Sequence, residues 1–173
     1  KLRRIFQVVE ERSPKFIGVL NSPGASLIGE GLRVFSQTVP IAKMESPGYS
    51  DGINDGFQRG VIATLEALEV SPSERKRMQV NLVGLSIWHL GWQDSLDDLR
   101  RLLRLCEIEV CTSVGAGWNI QEMQDSAKSS LNVSVDRDFS SRICHWYEEE
   151  LEVPSISFDR SPLGFDALEE WIS

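Results

Sequence analysis

Cysteine and histidine are scarce in this sequence, and their scarcity narrows the kinds of site that it can form. The 173 residues include three cysteines and two histidines. The cysteines, Cys106, Cys111 and Cys144, form no C-x-x-C pair. Disulfide-based folds need a denser, even-numbered set, so we expect no disulfides and a reducing, cytoplasmic compartment. Because Cys106 follows a leucine-rich segment and Cys111 lies in an apolar run, both are predicted to be ordinary buried residues.

An excess of positive charge and long apolar runs are also missing. The net charge is −8 and the sequence pI is about 4.8, whereas nucleic-acid-binding proteins present Lys/Arg surfaces. No apolar run reaches the roughly 20 residues that span a bilayer. The first residues, "KLRRIFQVVEER", are too charged for a signal peptide and lack a small-residue cleavage site. We therefore expect neither a nucleic-acid partner nor a membrane partner.

Strand-like and helix-like segments alternate along the chain. Apolar strand-like runs lie near residues 15–21, 39–45, 78–87, 108–114, 130–136 and 153–158. Helix-like segments lie near 2–9, 27–37, 52–68, 71–74, 94–106, 138–151 and 163–172, and Asn119 and Glu122 suggest another capped helix. Near-continuous apolar strands that alternate with helices predict an α/β fold: a Rossmann-like, doubly wound, mostly parallel sheet with helices on both faces.

In such a sheet, ligands bind outside the carboxyl ends of the strands. That edge is predicted to carry five loops: Ser22–Ser26, Ser46–Gly52, Ser86–Asp94, Ser113–Trp118 and Asp136–Ser140. The candidate ligand-binding residues on these loops are Pro23, Gly24, Ser26, Gly48, Tyr49, Ser50, His89, Trp92 and Gly115. Each loop taken alone is better explained as an ordinary turn rich in Gly, Ser and Asp.

The first of these loops looks like part of a phosphate-binding loop but lacks the residues that bind nucleotides. From Gly24 the sequence reads "GASLIGEG", which matches the G-x-x-x-x-G half of a Walker A motif. Lys and Ser/Thr should follow, but Glu30 and Gly31 stand there. A carboxylate repels phosphates, and no hydroxyl is available for magnesium. No G-x-G-x-x-G fingerprint is present either, so nucleotide binding is rejected.

The histidines form no recognisable metal motif, so we predict no metal ligands. His145 lies in a helix-like segment and is predicted to be solvated or packed. His89 lies in "SIWHLGWQD", where two tryptophans and a histidine share one loop. Large aromatic side chains are costly to expose. This loop therefore covers a neighbouring domain, a subunit or a flat ligand, or it packs locally; the sequence leaves both open.

Several segments, taken in order, resemble the component-1 proteins of the nitrogenase superfamily, which include catalytic subunits, cofactor-assembly scaffolds and light-independent tetrapyrrole reductases. The resemblance runs from about Phe16 to Ile172. The segments that carry it are "LIGEG", "SPGYSDGINDG", "VNLVG", "DDLRRLLRLCEIEV", "GWNIQEMQDSAKSSLNVSV" and "LEVPSISFDRSPLGFDALEEWI". Family subunits have three Rossmann-like domains. The resemblance implies that residues 1–37 are the edge of a preceding domain and 38–173 a Rossmann-like middle domain, so the chain is a fragment or a small relative.

The sequence departs from the family at the two cysteines that hold iron–sulfur clusters. Counting back five residues from Ile28 reaches Pro23, and counting back 18 from Pro154 reaches Asp136. The resemblance implies an iron–sulfur cluster, but neither position offers a thiolate, the ligand such clusters prefer. Asp136 is therefore the candidate catalytic residue, as a proton donor to a bound organic ligand. The alternative is that Asp136 caps the helix that begins near Phe139.

The resemblance implies an oxidoreductase subunit, or a fragment of one, that takes part in ATP-coupled reduction of a bound ligand within an oligomer. Its implied partners are a paralogous or identical component-1 subunit and an iron–sulfur ATPase that supplies electrons. The alternative class is non-catalytic: a cofactor-assembly scaffold, or a relative that binds a metallocofactor or tetrapyrrole without the cluster cysteines.

Overall fold

The computed structural model describes residues 2–27, 39–45, 52–158 and 169. The chain folds into two compact units, Lys1–Glu69 and Val70–Ser173. The boundary between these units falls at Glu69, whereas the sequence suggested a domain boundary at residue 37. The assignment of residues 1–37 to a preceding domain remains a prediction.

In the part of the first unit that the structure describes, two parallel strands lie beside helices. Its elements are α1 (Leu2–Glu10), β1 (Ile17–Asn21), α2 (Pro23–Leu27), β2 (Ile41–Glu45) and α3 (Ile53–Ala67). The two strands pair from Ile17 opposite Ile41 to Asn21 opposite Glu45. Helix α3 packs against β2 and buries Val61 and Leu65. Most of the helix predicted over 27–37 lies outside the described residues.

The described residues of the second unit form a four-stranded parallel sheet connected by helices. Its elements are β3 (Lys76–Val83), α4 (Trp92–Leu105), β4 (Glu109–Val114), α5 (Ile120–Asp125), a 3₁₀ turn (Ser126–Lys128), β5 (Ser129–Ser134), α6 (Arg137–Leu151) and β6 (Ser155–Ser157). The strand order is β4-β3-β5-β6. Every pair in this sheet is parallel.

The helices of the second unit cover opposite faces of its sheet. On one face, the buried leucines of α4 (Leu96, Leu99 and Leu103) form an apolar cluster with Val80, Leu82 and Val133. Side chains alternate along a strand, so Asn81, Asn132 and Ser134 face the other way. There the Ser134 hydroxyl forms a hydrogen bond with the Ser140 hydroxyl of α6 at 2.6 Å. The predicted α/β, doubly wound, Rossmann-like architecture is therefore confirmed.

One predicted helix is absent, and another begins earlier than predicted. Residues 71–74, "SPSE", have the residues of a capped helix start, yet no helix forms there. Strand β3 begins at Lys76, so a helix that started at Ser71 would have to end within about one turn, before the sheet pairing of Lys76 with Ser129. Helix α4 was predicted to begin at Asp94 or Ser95. It begins at Trp92, after Gly91 in the left-handed region (φ 69°).

Other local predictions are confirmed. Asn119 and Glu122 form a reciprocal capping box at the start of α5. Helix α6 buries Ile143, Tyr147 and Leu151 from its predicted apolar stripe. In the described part of the chain, no helix has the length and apolar character needed to cross a bilayer. The helix predicted over 163–172 lies outside the described residues.

The three thiols differ in exposure, which corrects one prediction. Cys144 is buried in α6, Cys111 is partly buried in β4, and Cys106 is exposed just after α4. Cys106 was predicted to be buried because it follows a leucine-rich segment. The chain ends α4 at Leu105, and the turn that follows faces solvent rather than the apolar cluster.

Candidate functional site

The site lies where the chain reverses direction across the second sheet. After β3 the chain passes through α4 to β4 on one side, and it returns through α5 to β5 on the other side of β3. The loops that follow β3 and β5 therefore leave adjacent strands toward opposite faces of the sheet. This reversal is the topological switch point of the sheet, and the carboxyl ends of the strands at a switch point are the common ligand position in doubly wound folds.

The loop after β3 is organised by Ser86, which is fully buried. Its carbonyl oxygen accepts the backbone N–H of His89 at 2.9 Å, and its hydroxyl accepts the N–H of Trp88 at 3.3 Å. Its own N–H donates to Nδ1 of His89 at 3.2 Å. Three hydrogen bonds from one residue therefore fix both the turn and the His89 ring.

The loop after β5 places Asp136 opposite that ring. The Asp136 carboxylate accepts the N–H of Asp138 at 2.9 Å and caps α6, so the capping alternative is confirmed. Its other oxygen, Oδ2, lies 3.6 Å from Nε2 of His89, and 28% of the His89 side chain and 31% of the Asp136 side chain remain exposed. Backbone hydrogen bonds thus hold both side chains in place, and their exposed atoms remain accessible to a ligand.

Neighbouring groups confine the His89–Asp136 pair. The ring of Phe139 meets the His89 ring edge-on at 4.8 Å between centroids. Gly84 has a positive φ of 102°, and a methyl group there would lie 2.5 Å from the carbonyl oxygen of Asp136. The backbones after β3 and β5 are therefore in direct contact, which only glycine at position 84 permits.

Trp92 and the loop after β4 form the flank of the site. The Trp92 side chain is partly buried and packs against the apolar cluster of α4. A methyl group on Gly117 would lie 2.9 Å from Cζ3 of that indole. Gly115, with a φ of 101°, lies in the same turn. Trp92 is thus held by local packing.

The aromatic loop, residues 86–94, contains both packed and exposed side chains. His89 and Trp92 are packed locally. Ile87, Trp88 and Leu90 are largely exposed, at 64%, 69% and 104% of their reference areas. Local packing therefore accounts for the first pair, whereas contact of the second set with a neighbouring domain, a subunit or a flat ligand remains a prediction.

The remaining predicted residues belong to the first unit or lie outside the described part of the chain. Pro23 and Gly24 are exposed at the start of α2, where Ser26 also lies. Gly48, Tyr49 and Ser50 lie outside the described residues. The structure therefore brings together His89 and Asp136, with Trp92 and Gly115 in neighbouring loops. The role of each predicted residue in ligand binding remains a prediction.

The described residues do not fit an iron–sulfur cluster. Pro23 has no ligand atom, and one Asp136 oxygen is used by the helix cap. Burial raises the pKa of the Cys144 thiol to about 11 and also raises the pKa of Cys111, which disfavours the thiolates that clusters need. Among residues 2–27, 39–45, 52–158 and 169, no three His, Cys, Asp or Glu side chains gather into a metal site.

The second histidine has no place in this site. His145 is exposed on α6, where its Nε2 lies 3.2 Å from Oε1 of Glu149. Its prediction as a solvated residue is confirmed. Sequence reasoning did not single out Ser86, Gly84 or Gly117, although each shapes the site. The available signals were a glycine within the predicted strand 78–87 for Gly84 and the "GAG" turn after the strand predicted over 108–114 for Gly117. Nothing in the sequence distinguishes Ser86 from other loop serines.

The geometry defines a doubly wound α/β protein. Its polar pair, His89 and Asp136, lies at the topological switch point of the second sheet, where the chain connections reverse direction beside β3. The family model for the Nitrogenase component 1 type Oxidoreductase matches residues 1–173. The chain therefore belongs to this family, as its sequence resemblance indicated.

Individual relatives cover the chain at low identity. One of the light-independent protochlorophyllide reductase subunits of Synechococcus sp. (strain CC9311) is 25% identical over 167 residues, which is 89% of this chain and 31% of that protein. Its counterpart from Halorhodospira halophila (strain DSM 244 / SL1) is 22% identical over 143 residues, 78% of this chain and 27% of that protein. The chain thus spans less than a third of the length of these relatives.

Solved structures support the fold. A structure described as nitrogenase Cp1 at pH 6.5 matches 96% of this chain and 32% of its own chain, with a TM-score of 0.72 and 19% identity. Nitrogenase Cp1 at pH 5 matches 88% of this chain and 32% of its own, with a TM-score of 0.63 and 20% identity. At these identities the likeness concerns the fold alone.

Proposed function

We propose that this chain is the ligand-binding part of a component-1-type oxidoreductase subunit that takes part in ATP-coupled reduction of a bound organic ligand. The observation that carries the proposal is the His89–Asp136 pair at the switch point of the sheet. Its two side chains are about 30% exposed, so a ligand can reach them while the protein still fixes their positions.

The proposed role of Asp136 is that of a general acid. Reduction of a carbon–carbon double bond adds two electrons and two protons. Protonated Asp136 donates one proton to the carbon that has gained electron density, solvent supplies the second proton to the other carbon, and the resulting carboxylate is reprotonated from solvent. Electrons come from an iron–sulfur ATPase partner, as the family resemblance implies. Because the relatives are named as protochlorophyllide reductase subunits, a conjugated tetrapyrrole is the first ligand class to test.

The proposal includes partners and a location. We place the protein in the cytoplasm, in an oligomer with a paralogous or identical component-1 subunit. The sparse cysteines support a reducing compartment. The exposed Ile87, Trp88 and Leu90 beside the site are apolar enough to contact a ligand or a subunit.

A non-catalytic function is the second candidate. The positions where the family places cluster cysteines are occupied by Pro23 and Asp136, and the described residues form no metal site. These observations favour an assembly scaffold or a binding protein that holds a cofactor or tetrapyrrole without reducing it.

One experiment separates the two functions. The protein is purified anaerobically and titrated with protochlorophyllide, and binding is followed by the absorption and fluorescence of the pigment. ATP-dependent reduction is then measured after addition of the iron–sulfur ATPase of a protochlorophyllide reductase. Reduction that falls at least about 100-fold in Asp136→Ser, with binding retained, supports the oxidoreductase. Binding without reduction by the wild-type protein supports the scaffold, and absence of binding contradicts both for this ligand.

A further inference from the structure

The His89 ring has a defined hydrogen-bonding arrangement. Its Nδ1 accepts the backbone N–H of Ser86 at 3.2 Å. In a neutral imidazole one nitrogen accepts and the other carries the proton. Since Nδ1 is the acceptor, the proton lies on Nε2, the atom that faces Asp136. The loop therefore selects one tautomer of His89 before any ligand arrives.

The Asp136 carboxylate is approached by donors from two elements. Oδ1 accepts the N–H of Asp138 at the start of α6, and Oδ2 faces Nε2 of His89 at 3.6 Å. We infer that His89 is a positioning residue for Asp136: the ring, oriented by Ser86, presents its Nε2–H to Oδ2 and fixes the direction in which the carboxyl group faces a ligand at the carboxyl ends of the strands. This inference rests on the proposed acid role of Asp136.

The contact distance agrees with a positioning role. At 3.6 Å the two groups are neighbours but are farther apart than in a direct N–H···O hydrogen bond. The Nε2–H of His89 therefore orients the carboxyl group without the strong hydrogen bond that would hold Asp136 in its ionised form. Phe139, whose ring packs edge-on against His89, restricts the imidazole to the orientation that faces the carboxylate.

Two substitutions of His89 distinguish the contribution of Nδ1 from that of Nε2. In His89→Asn the side-chain oxygen can replace Nδ1 as the acceptor for Ser86, but no donor reaches Asp136. In His89→Gln the longer amide can replace the Nε2–H donor, but the bond to Ser86 is lost. A positioning role predicts that Gln is the better substitute, whereas a purely structural role in the loop predicts that Asn is.

The tautomer is tested by NMR on the whole chain. Long-range ¹H–¹⁵N correlation spectra show both histidines, and the matched variant His145→Gln removes the signals of the exposed one. We expect the proton of neutral His89 on Nε2. We also expect a larger change in its Nε2 shift in Asp136→Ser, which keeps a capping side chain, than in the control Asp138→Asn. A proton on Nδ1, or equal changes in both variants, would overturn the inference.

A double-mutant cycle tests the function. With protochlorophyllide and the iron–sulfur ATPase, His89→Asn should lower the reduction rate about tenfold. His89→Gln should lower it less than about threefold. In the Asp136→Ser background, His89→Asn should change the residual rate less than about twofold, because the residue acts through Asp136. An equal loss in both backgrounds would overturn the inference. A wild-type protein that reduces no ligand refutes the proposed function instead, and the NMR spectra then decide the positioning of Asp136.

Discussion

The side-chain Nδ2 of Asn81 in β3 donates a hydrogen bond to Oδ1 of Asn132 in β5 at 2.8 Å, and both residues are completely buried. Asn81 also donates to the Ser126 carbonyl at 2.9 Å and accepts the Ser129 hydroxyl at 2.8 Å. The two asparagines are opposite each other in the strand pairing. A shift of one residue would move them to the apolar face, so the pair fixes the register of the two strands that carry the site.

We predict that Asn81→Asp destabilises the protein strongly. The substitution preserves shape but removes both amide donors and places an oxygen against the Asn132 oxygen. We expect the free energy of unfolding to fall by about 3 kcal/mol or more, the range for a broken buried polar network. Urea denaturation measures this loss. The control is Asn119→Asp, at an exposed helix cap, which should change stability by less than about 0.5 kcal/mol. Similar losses in the two variants would contradict this account of the buried pair.

Gly84→Ala is predicted to disturb the site and the fold together. The new methyl group would lie 2.5 Å from the carbonyl oxygen of Asp136, at a position with positive φ. We expect a loss of about 3 kcal/mol and a displaced Asp136 loop, because strain and a backbone clash add. Gly91→Ala is the matched control: its φ is also positive, but its surroundings are open, so strain alone should cost about 1 kcal/mol. Equal unfolding midpoints for the two variants would show that the close approach is unimportant.

Alkaline pH should weaken the fold through Cys144. Burial raises the pKa of its thiol from 9.0 to about 11. Between these values the unfolded chain loses the proton while the folded chain keeps it, so the free energy of unfolding falls as pH rises from about 9 to 11. The slope from this group approaches about 1.4 kcal/mol per pH unit. Burial also raises the pKa of Tyr147, which adds a loss in the same direction at higher pH.

The contribution of Cys144 is isolated by comparing variants. Denaturant unfolding at pH 8, 9, 10 and 11 should show a shallower decline in Cys144→Ala than in the wild-type protein. Cys106→Ala, which removes an exposed thiol, should leave the wild-type decline unchanged. Parallel declines in all three proteins would mean that Cys144 does not contribute.

The two tryptophans of the loop after β3 should respond differently to truncation. Trp92 is partly buried against the apolar cluster, so Trp92→Ala should cost about 3 kcal/mol. Trp88 is 69% exposed, so Trp88→Ala should change stability by less than about 0.5 kcal/mol. We expect Trp88→Ala to weaken pigment binding or subunit association instead. Thermal unfolding and pigment titration of both variants test this difference, and unchanged binding in Trp88→Ala would refute the interaction role of the exposed residues.

Local sequence patterns predicted most of the second sheet. The apolar runs became β3, β4 and β5, and the Asn119–Glu122 box formed as expected. The failed helix at residues 71–74 shows the limit of such patterns. A cap stabilises a helix by about 1 kcal/mol, but β3 needs the chain from Lys76 onward for pairing with β4 and β5. Long-range pairing therefore overrides the local signal.

The site could be predicted only in outline. The fold class indicated the carboxyl edge of the strands, and His89 and Asp136 were both among the candidates. Their pairing was not predictable, because it depends on β3 lying beside β5 with β4 outside them. The orientation of the His89 ring depends on the backbone N–H of Ser86 and on the ring of Phe139, and no residue pattern encodes these contacts.

The strand order β4-β3-β5-β6 also has a consequence during biosynthesis. A nascent chain completes β3, α4 and β4 before β5 exists, so one edge of β3 stays open until the later strand is synthesised. Unpaired edges of apolar strands invite association with other chains. The interval between the synthesis of β4 and the docking of β5 is thus when we expect this protein to depend most on chaperones, and ribosome-bound chains that end after Val114 should aggregate more readily on release than chains that extend beyond Ser157.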